Sequence, residues 1–286
     1  MAIITPELSR EVIDSIKLPG LQRRRRGPLE DRPPPKLEDN QAQVLVAGSG
    51  LIVAADDVPA QTREDLINCT LFAQLAASSE VPDAKKIMPW YDAYFRYLTI
   101  LGWAQSDRQF QDYRFSGQHA EAHKAIEKVL VALLGPQAAA LMIVEAALQA
   151  LHEMEENSPW LTLFDHQSKV EKAARFQVAT AQPDANGLLQ TALVAFNLKA
   201  KTNFTQVLFF RFLSSSTNLK YAAGKATIYE AALADQRAQI AQRLADYRRE
   251  MVGEVKFPPL AGRLARARRG PMRSVKFKPG RAIEGL

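Results

Sequence analysis

The longest apolar run in the chain extends from Ile126 to Leu151, and between Val129 and Leu151 its only charge is Glu145. Gly135-Pro136 interrupts it. Glycine is favoured just past a helix end, and proline fits the first turn of the next helix. The pattern therefore predicts two helices, Gln118 to Leu134 and Gln137 to Met154, each too short in its apolar part to cross a bilayer alone. Ile126, Val129, Leu130, Leu133 and Leu134 recur at i, i+3, i+4, i+7 and i+8, one buried stripe, with Ser116 placed as N-cap. From Ala138 to Leu151 the second helix is apolar nearly all round, which predicts a place in the middle of a core. Each Leu or Val buried here contributes roughly 1.5–3 kcal/mol.

Helical spacing recurs elsewhere. In residues 1–18, Leu8, Val12, Ile13 and Ile16 share a face behind Thr5-Pro6. A helix this short is marginal alone, so it either docks into a partner's groove or packs on its own domain. Thr62 to Ala77 reads as a helix capped by Thr62, with Leu66, Cys69, Phe72 and Ala73 on one side. Pro89 to Leu101 is aromatic: Trp90, Tyr94, Tyr97 and Leu101 align, and Gly102 stops it. Glu230 to Met251 reads as a closing helix.

Period-two signals make up the rest. Ala42 to Ala55 holds two apolar runs around Gly48-Ser49-Gly50, read as a β-hairpin or a glycine-kinked strand. After the break at Asn157-Ser158-Pro159, four segments are rich in strand formers: Ala174 to Thr180, Leu188 to Lys199, Thr205 to Ser214 and Lys220 to Tyr229. Their short connections predict an antiparallel meander, with Gln206 to Leu213 (QVLFFRFL) as its central strand. The fold class expected is α+β: a helical layer with a buried helix pair, packed on that meander. The expected division is a docking helix at 1–18, an Arg/Pro-rich linker at 19–40, a globular body at 41–255 and a basic flexible tail at 256–286.

Charge sharpens this division. The chain has 286 residues and a net charge of +6. Residues 256–286 hold nine Lys/Arg against one Glu, and residues 1–40 hold eight positives against seven negatives, which leaves residues 41–255 at −3. The basicity therefore belongs to the ends. Arg23, Arg24, Arg25 and Arg26 form one cluster, and Arg266, Arg268, Arg269, Lys276 and Lys278 another. Either suits an anionic surface, and the tail also suits nucleic acid. The single cysteine, Cys69, excludes an intramolecular disulfide. The first residues lack a basic-then-apolar leader, so the expectation is a cytoplasmic protein or one exported without a cleaved signal.

Catalytic signatures are missing from the sequence. Gly48-x-Gly50 has Val53 where a dinucleotide fingerprint needs glycine, and Gly224-Lys225 is followed by Ala226 with Leu219 where a phosphate loop starts with glycine. No nucleophile elbow and no CxxC pair occurs. His119 and His123 are spaced i, i+4, as metal-ligating pairs on a helix are, yet Ala120 stands where a zinc protease has glutamate. No cofactor is expected. Trp90, Tyr94, Tyr97 and Cys69 are the residues expected at a ligand or lipid contact. The functional expectation is a non-enzymatic binding or effector protein, membrane-active through its apolar centre and addressed by its basic arms to an anionic surface or a protein partner. The alternatives are a structural or cargo protein recruited to an assembly through Leu8, Val12 and Ile16, and a hydrolase with dispersed catalytic residues.

Overall fold

The computed structural model describes residues 6–21, 35–115, 119–153, 159–184, 186, 188–201, 206–209, 211–213 and 217–257. Its helices are Pro6–Ser15 (α1), Ala60–Glu80 (α2), Ile87–Ile100 (α3), Ala122–Leu134 (α4), Ala139–Glu153 (α5), Pro159–Ser168 (α6), Glu230–Ala234 (α7) and Arg237–Met251 (α8). Its strands are Gln43–Ala47 (β1), Gly50–Ala54 (β2), Trp103–Gln105 (β3), Gln111–Tyr113 (β4), His119–Glu121 (β5), Lys169–Val170 (β6), Ala173–Pro183 (β7), Leu189–Ala200 (β8), Arg211–Leu213 (β9), Thr217–Ile228 (β10) and Val252–Val255 (β11). The fold class is α+β.

One sheet organises the molecule, in the order β11-β1-β2-β7-β8-β10-β3, with β4 added to β10 and β6 to β7. Every pairing is antiparallel except β2 with β7. The long strands β7, β8 and β10 form the expected meander. Helices cover both faces. Tyr91 of α3 donates its hydroxyl to the carbonyls of Phe176 (3.1 Å) and Phe196 (2.7 Å). On the other face Phe164 of α6 packs 5.9 Å from Phe176, and the amide of Ala140 in α5 donates to Gln182 Oε1 at 2.8 Å. With both faces covered, even the polar members of the alternation Arg175-Phe176-Gln177-Val178 are buried.

Two glycines are fixed by geometry. Gly48 opens the two-residue turn between β1 and β2 with φ +58°, the position where II′-type hairpins take glycine. A Cβ there would meet Gln74 Oε1 at 2.4 Å, the same oxygen that accepts from the Ser49 amide at 2.9 Å. Gly253 in β11 lies under Trp160, where a Cβ would stand 2.0 Å from Cζ3.

Several expectations need correction. Gln206 to Leu213 is not the central strand. Residues 207–209 are turn, and 211–213 form β9, which pairs only with β5 in a separate two-stranded sheet. The reason is that β8 and β10 pair directly from Thr217↔Ala200 onward, which loops the segment out. Its apolar character is used differently: Val207 and Leu208 are buried, with the Val207 amide donating to Asp165 Oδ1 at 2.8 Å. The first helix of the central pair begins at Ala122, not Gln118, because 119–121 belong to β5. The second is not the middle of the core. Leu141, Val144, Leu148 and Leu151 face inward, but Glu145 and Gln149 are exposed on its outer side. Thr62 does not cap α2, which starts at Ala60; the amide of Ala60 donates instead to Asp39 Oδ1 at 2.7 Å. The closing helix is broken into α7 and α8, and α6 and β11 lie where no element was expected.

Helix α1 turns its stripe onto its own body. Ile13 is buried, and Val12 and Ile16 are half-buried against the core. The carbonyls of the segment accept from Gln239 (Arg10 O, 3.4 Å), Tyr247 (Pro19 O, 2.6 Å), Arg243 (Ile16 O) and Ser79 (Lys17 O). A groove in a partner is therefore not free to take this face while it is packed here. The side chain of Leu8 lies outside the described residues.

Candidate functional site

The meander runs to one end of the sheet, where the β7–β8 hairpin turns over between Pro183 and Leu189. Register brings other elements to the same end. Thr191 opposes Ala226, so β10 finishes there and delivers Tyr229; Trp103 opposes Ile228 beside it. The Ala140–Gln182 hydrogen bond puts the α4–α5 connection there as well. Five large apolar side chains are exposed among the described residues, and four of them lie at this end: Val131 (37%), Leu188 (67%), Leu189 (44%) and Tyr229 (58%). Leu133 and Leu134, at the end of α4, are half-buried alongside. Exposed leucines are unremarkable singly; their collection at one end is the informative feature.

The root of the C-terminal basic arm and Lys36, at the far end of the N-terminal linker, reach this end too, whereas the segment just before Arg23 is held by Tyr247 (Pro19 O) and Ser79 (Lys17 O), toward the β1–β2 turn. Ala54 opposes Ala181, Val44 opposes Val53, and Val255 opposes Val44, so β11 exits toward the hairpin tip. Gln43 Nε2 donates both to the carbonyl of Lys36 (3.0 Å) and to Glu254 Oε1 (3.2 Å), which ties the two points together. They lie four strand spacings from β8, about 19 Å along the sheet. Glu127 of α4 is the titratable group that burial, helped by the neighbouring charge of Glu145 on α5, pushes above the usual carboxylate range.

The other predicted site residues fall elsewhere. Trp90, Tyr94 and Cys69 are buried between α2, α3 and the sheet, and Tyr97 is 9% exposed with its hydroxyl donating to Glu80 Oε2 at 2.8 Å. Trp90 and Tyr94 stack at 5.3 Å. In this state their aromatic spacing encodes packing, and none of the three fully buried side chains offers a surface to lipid. Burial pushes the Cys69 thiol up to about 12, the setting of an inert cysteine. Arg23, Arg24, Arg25, Arg26, Arg266, Arg268, Arg269, Lys276 and Lys278 lie outside the described residues.

His119 and His123 do not share a helix face, because one is in β5 and the other in α4. Among the described residues no group of three or more His, Cys, Asp or Glu is placed to hold a metal ion. His123 sits instead 6.3 Å from His152, ring centre to ring centre, with Phe209 against both and Glu121 Oε2 3.3 Å from Nε2. Burial holds His123 below the ordinary histidine range, opposed by Glu121. The unfolded chain therefore takes up this proton first as pH falls. The neutral ring's contribution is complete above the unfolded pKa of about 6.5 and is lost as pH drops toward the folded value. His123→Phe should reduce the drop in melting temperature between pH 7.5 and pH 5; an identical drop in both proteins would refute this assignment.

Sequence reading missed Leu188, Leu189, Val131 and Tyr229. The available signal was the turn composition of residues 183–187, followed at once by two leucines that no strand face could both bury.

No protein-family model and no curated protein matches the chain. Among solved structures, it is similar to a delta-endotoxin at 15% identity, covering 69% of this chain and 89% of that one, with a TM-score of 0.38. It is also similar to the Evf virulence factor at 12% identity, covering 77% and 86%, with a TM-score of 0.30. Neither value is high enough to assign a shared fold.

Proposed function

We propose that this is a non-enzymatic binding or effector protein that docks on an anionic membrane surface with the hairpin-tip end. The observation that carries the reading is the collection of Val131, Leu188, Leu189 and Tyr229 at the end of the sheet from which the basic C-terminal segment departs. Apolar side chains entering the headgroup boundary and cations attracted to anionic lipid reinforce each other. Among the described residues no helix is long and apolar enough to cross a membrane, so contact through the α4–α5 connection is shallow. Neutralising Glu127 removes a charge from α4, so binding strengthens as pH falls.

The test is sedimentation with vesicles of mixed neutral and anionic phospholipid at low salt, at pH 7 and pH 5. The double variant Leu188→Asp/Leu189→Asp should bind roughly ten- to a hundredfold more weakly, given about 1.5–3 kcal/mol per buried leucine and only partial insertion. Its melting temperature should stay near that of the parent, because both side chains are already exposed. A parent protein that ignores such vesicles, or a double variant that binds them equally well, ends the proposal.

A further inference from the structure

The opposite end of the sheet carries a charge with no counter-charge among the described residues. Arg175, near the start of β7, is only 9% exposed, yet its Nε and Nη1 are buried without a hydrogen-bond partner. Its guanidinium lies 4.1 Å from the centre of the Trp90 ring. Desolvation lowers its pKa to about 10, so it remains a cation at neutral pH. A cation–π contact recovers only part of what burying an ion costs. Directly across the ladder, Asn197 is 2% exposed, and the donor it could offer an anion, Nδ2, is held by the sulfur of Met88.

The surroundings favour an anion. Trp90 belongs to the first turn of α3, a 14-residue helix whose N-terminal amides favour negative charge. Lys220 follows in the same cross-strand row, Arg175↔Asn197↔Lys220, and Lys85 and Lys86 precede the helix. The carboxylates nearby are engaged: Glu171 with Lys85 at 2.8 Å, Asp112 with Lys220 at 3.7 Å, and Asp83 with the amide of Lys85 at 3.0 Å. Met88 is the movable neighbour. It is 36% exposed, and its sulfur accepts from Asn197 Nδ2 at 3.6 Å. Methionine is unbranched and adopts alternative rotamers easily.

We propose that Arg175, Asn197 and the first turn of α3 form a binding site for a phosphate group, opened when Met88 swings aside. Arginine forks match phosphate oxygens in two parallel hydrogen bonds. The helix end adds the amide of Met88, since Pro89 has no N–H and the amides of Ile87 and Trp90 donate to the carbonyls of Lys85 and Lys86 at 3.0 Å. Arg175 is eight residues from Pro183 along β7, about 26 Å from the hairpin tip. A molecule seated on a bilayer by its tip keeps this site in water, so the phosphate is carried by a soluble molecule.

The experiment titrates the full chain with inorganic phosphate at constant ionic strength, using chloride as reference, and follows tryptophan fluorescence and melting temperature. Saturable changes are expected with phosphate and not with chloride. Arg175→Met should weaken phosphate binding roughly tenfold or more, the loss of a charge-assisted pair of hydrogen bonds. Met88→Ala should tighten it, and this surface variant keeps the test decisive if Arg175→Met fails to fold. No saturable response in the parent, or equal affinity in Arg175→Met, overturns the proposal. Arg175-dependent binding to anionic vesicles without any response to free phosphate overturns it as well, in favour of a lipid headgroup. None of these outcomes depends on Leu188 or Leu189, so failure here leaves the tip reading standing.

Discussion

Replacing Arg63 with alanine should lower the free energy of unfolding by about 3–5 kcal/mol, the range for breaking a buried charged network. Arg63 is wholly buried in the first turn of α2. Its Nε donates to the carbonyl of Val58 at 2.9 Å, its Nη1 to Gln43 Oε1 at 3.1 Å, and its Nη2 to the carbonyls of Ala55 (2.8 Å) and Asp56 (3.3 Å). Three of these acceptors lie in the loop from β2 into α2 and Gln43 opens β1, so one fork sets the path of the chain between sheet and helix. Alanine leaves the carbonyls desolvated and unpaired as well as opening a cavity. Arg63→Lys keeps a charge but cannot reach all the acceptors, and should fall between the two. The check is the urea midpoint at constant slope. A change in Arg63→Ala below about 1 kcal/mol, the worth of one ordinary hydrogen bond, would show that the fork is not what orders the loop.

Phe176→Ala is expected to cost about 3–5 kcal/mol as well, for a different reason. Phe176 is fully buried on β7, stacks on its cross-strand partner Phe196 at 4.9 Å and 17°, and touches Phe164 of α6 at 5.9 Å. Truncation removes apolar burial and leaves a void that a helix on one side and a paired strand on the other cannot close. Phe176→Leu should lose much less, because most of the volume remains. A double-mutant cycle with Phe196→Ala should show coupling of about 0.5–1.5 kcal/mol for the ring pair. Additive losses within experimental error would mean that the rings pack independently.

The reach of the sequence can be seen residue by residue. The β1–β2 hairpin, α2, α3 and the three long strands were legible because their apolar spacing is long and the breaks between them hold Gly, Pro and Asn. QVLFFRFL misled because an apolar run reports burial and not the means of burial, and Val207 and Leu208 are buried in a turn. His119 and His123 misled because the spacing i, i+4 has meaning only if both residues are helical, and Glu121 is where the helix has yet to start. The turn before Leu188 and Leu189 left a signal, but the gathering of elements at the tip and the setting of Arg175 were invisible for a shared reason. Both are defined by partners remote in sequence: the tip by four elements meeting at one end, Arg175 by a Trp90 ring 85 positions away and by the lack, among the described residues, of a carboxylate to match it.

The pairing of β1 with β11 has a consequence for how the chain is made. Val44 and its neighbours emerge early from a ribosome, but their partners, Val252–Val255, are synthesised more than 200 residues later. The β2–β7 junction likewise joins positions over 120 residues apart. At ordinary elongation rates the nascent hairpin would wait on the order of tens of seconds with both flanks unpaired. Such a high contact order slows folding and leaves a sticky intermediate on the way. Production in cells should therefore depend on chaperone capacity and respond to slower growth temperature, more strongly than the finished molecule's stability alone would suggest.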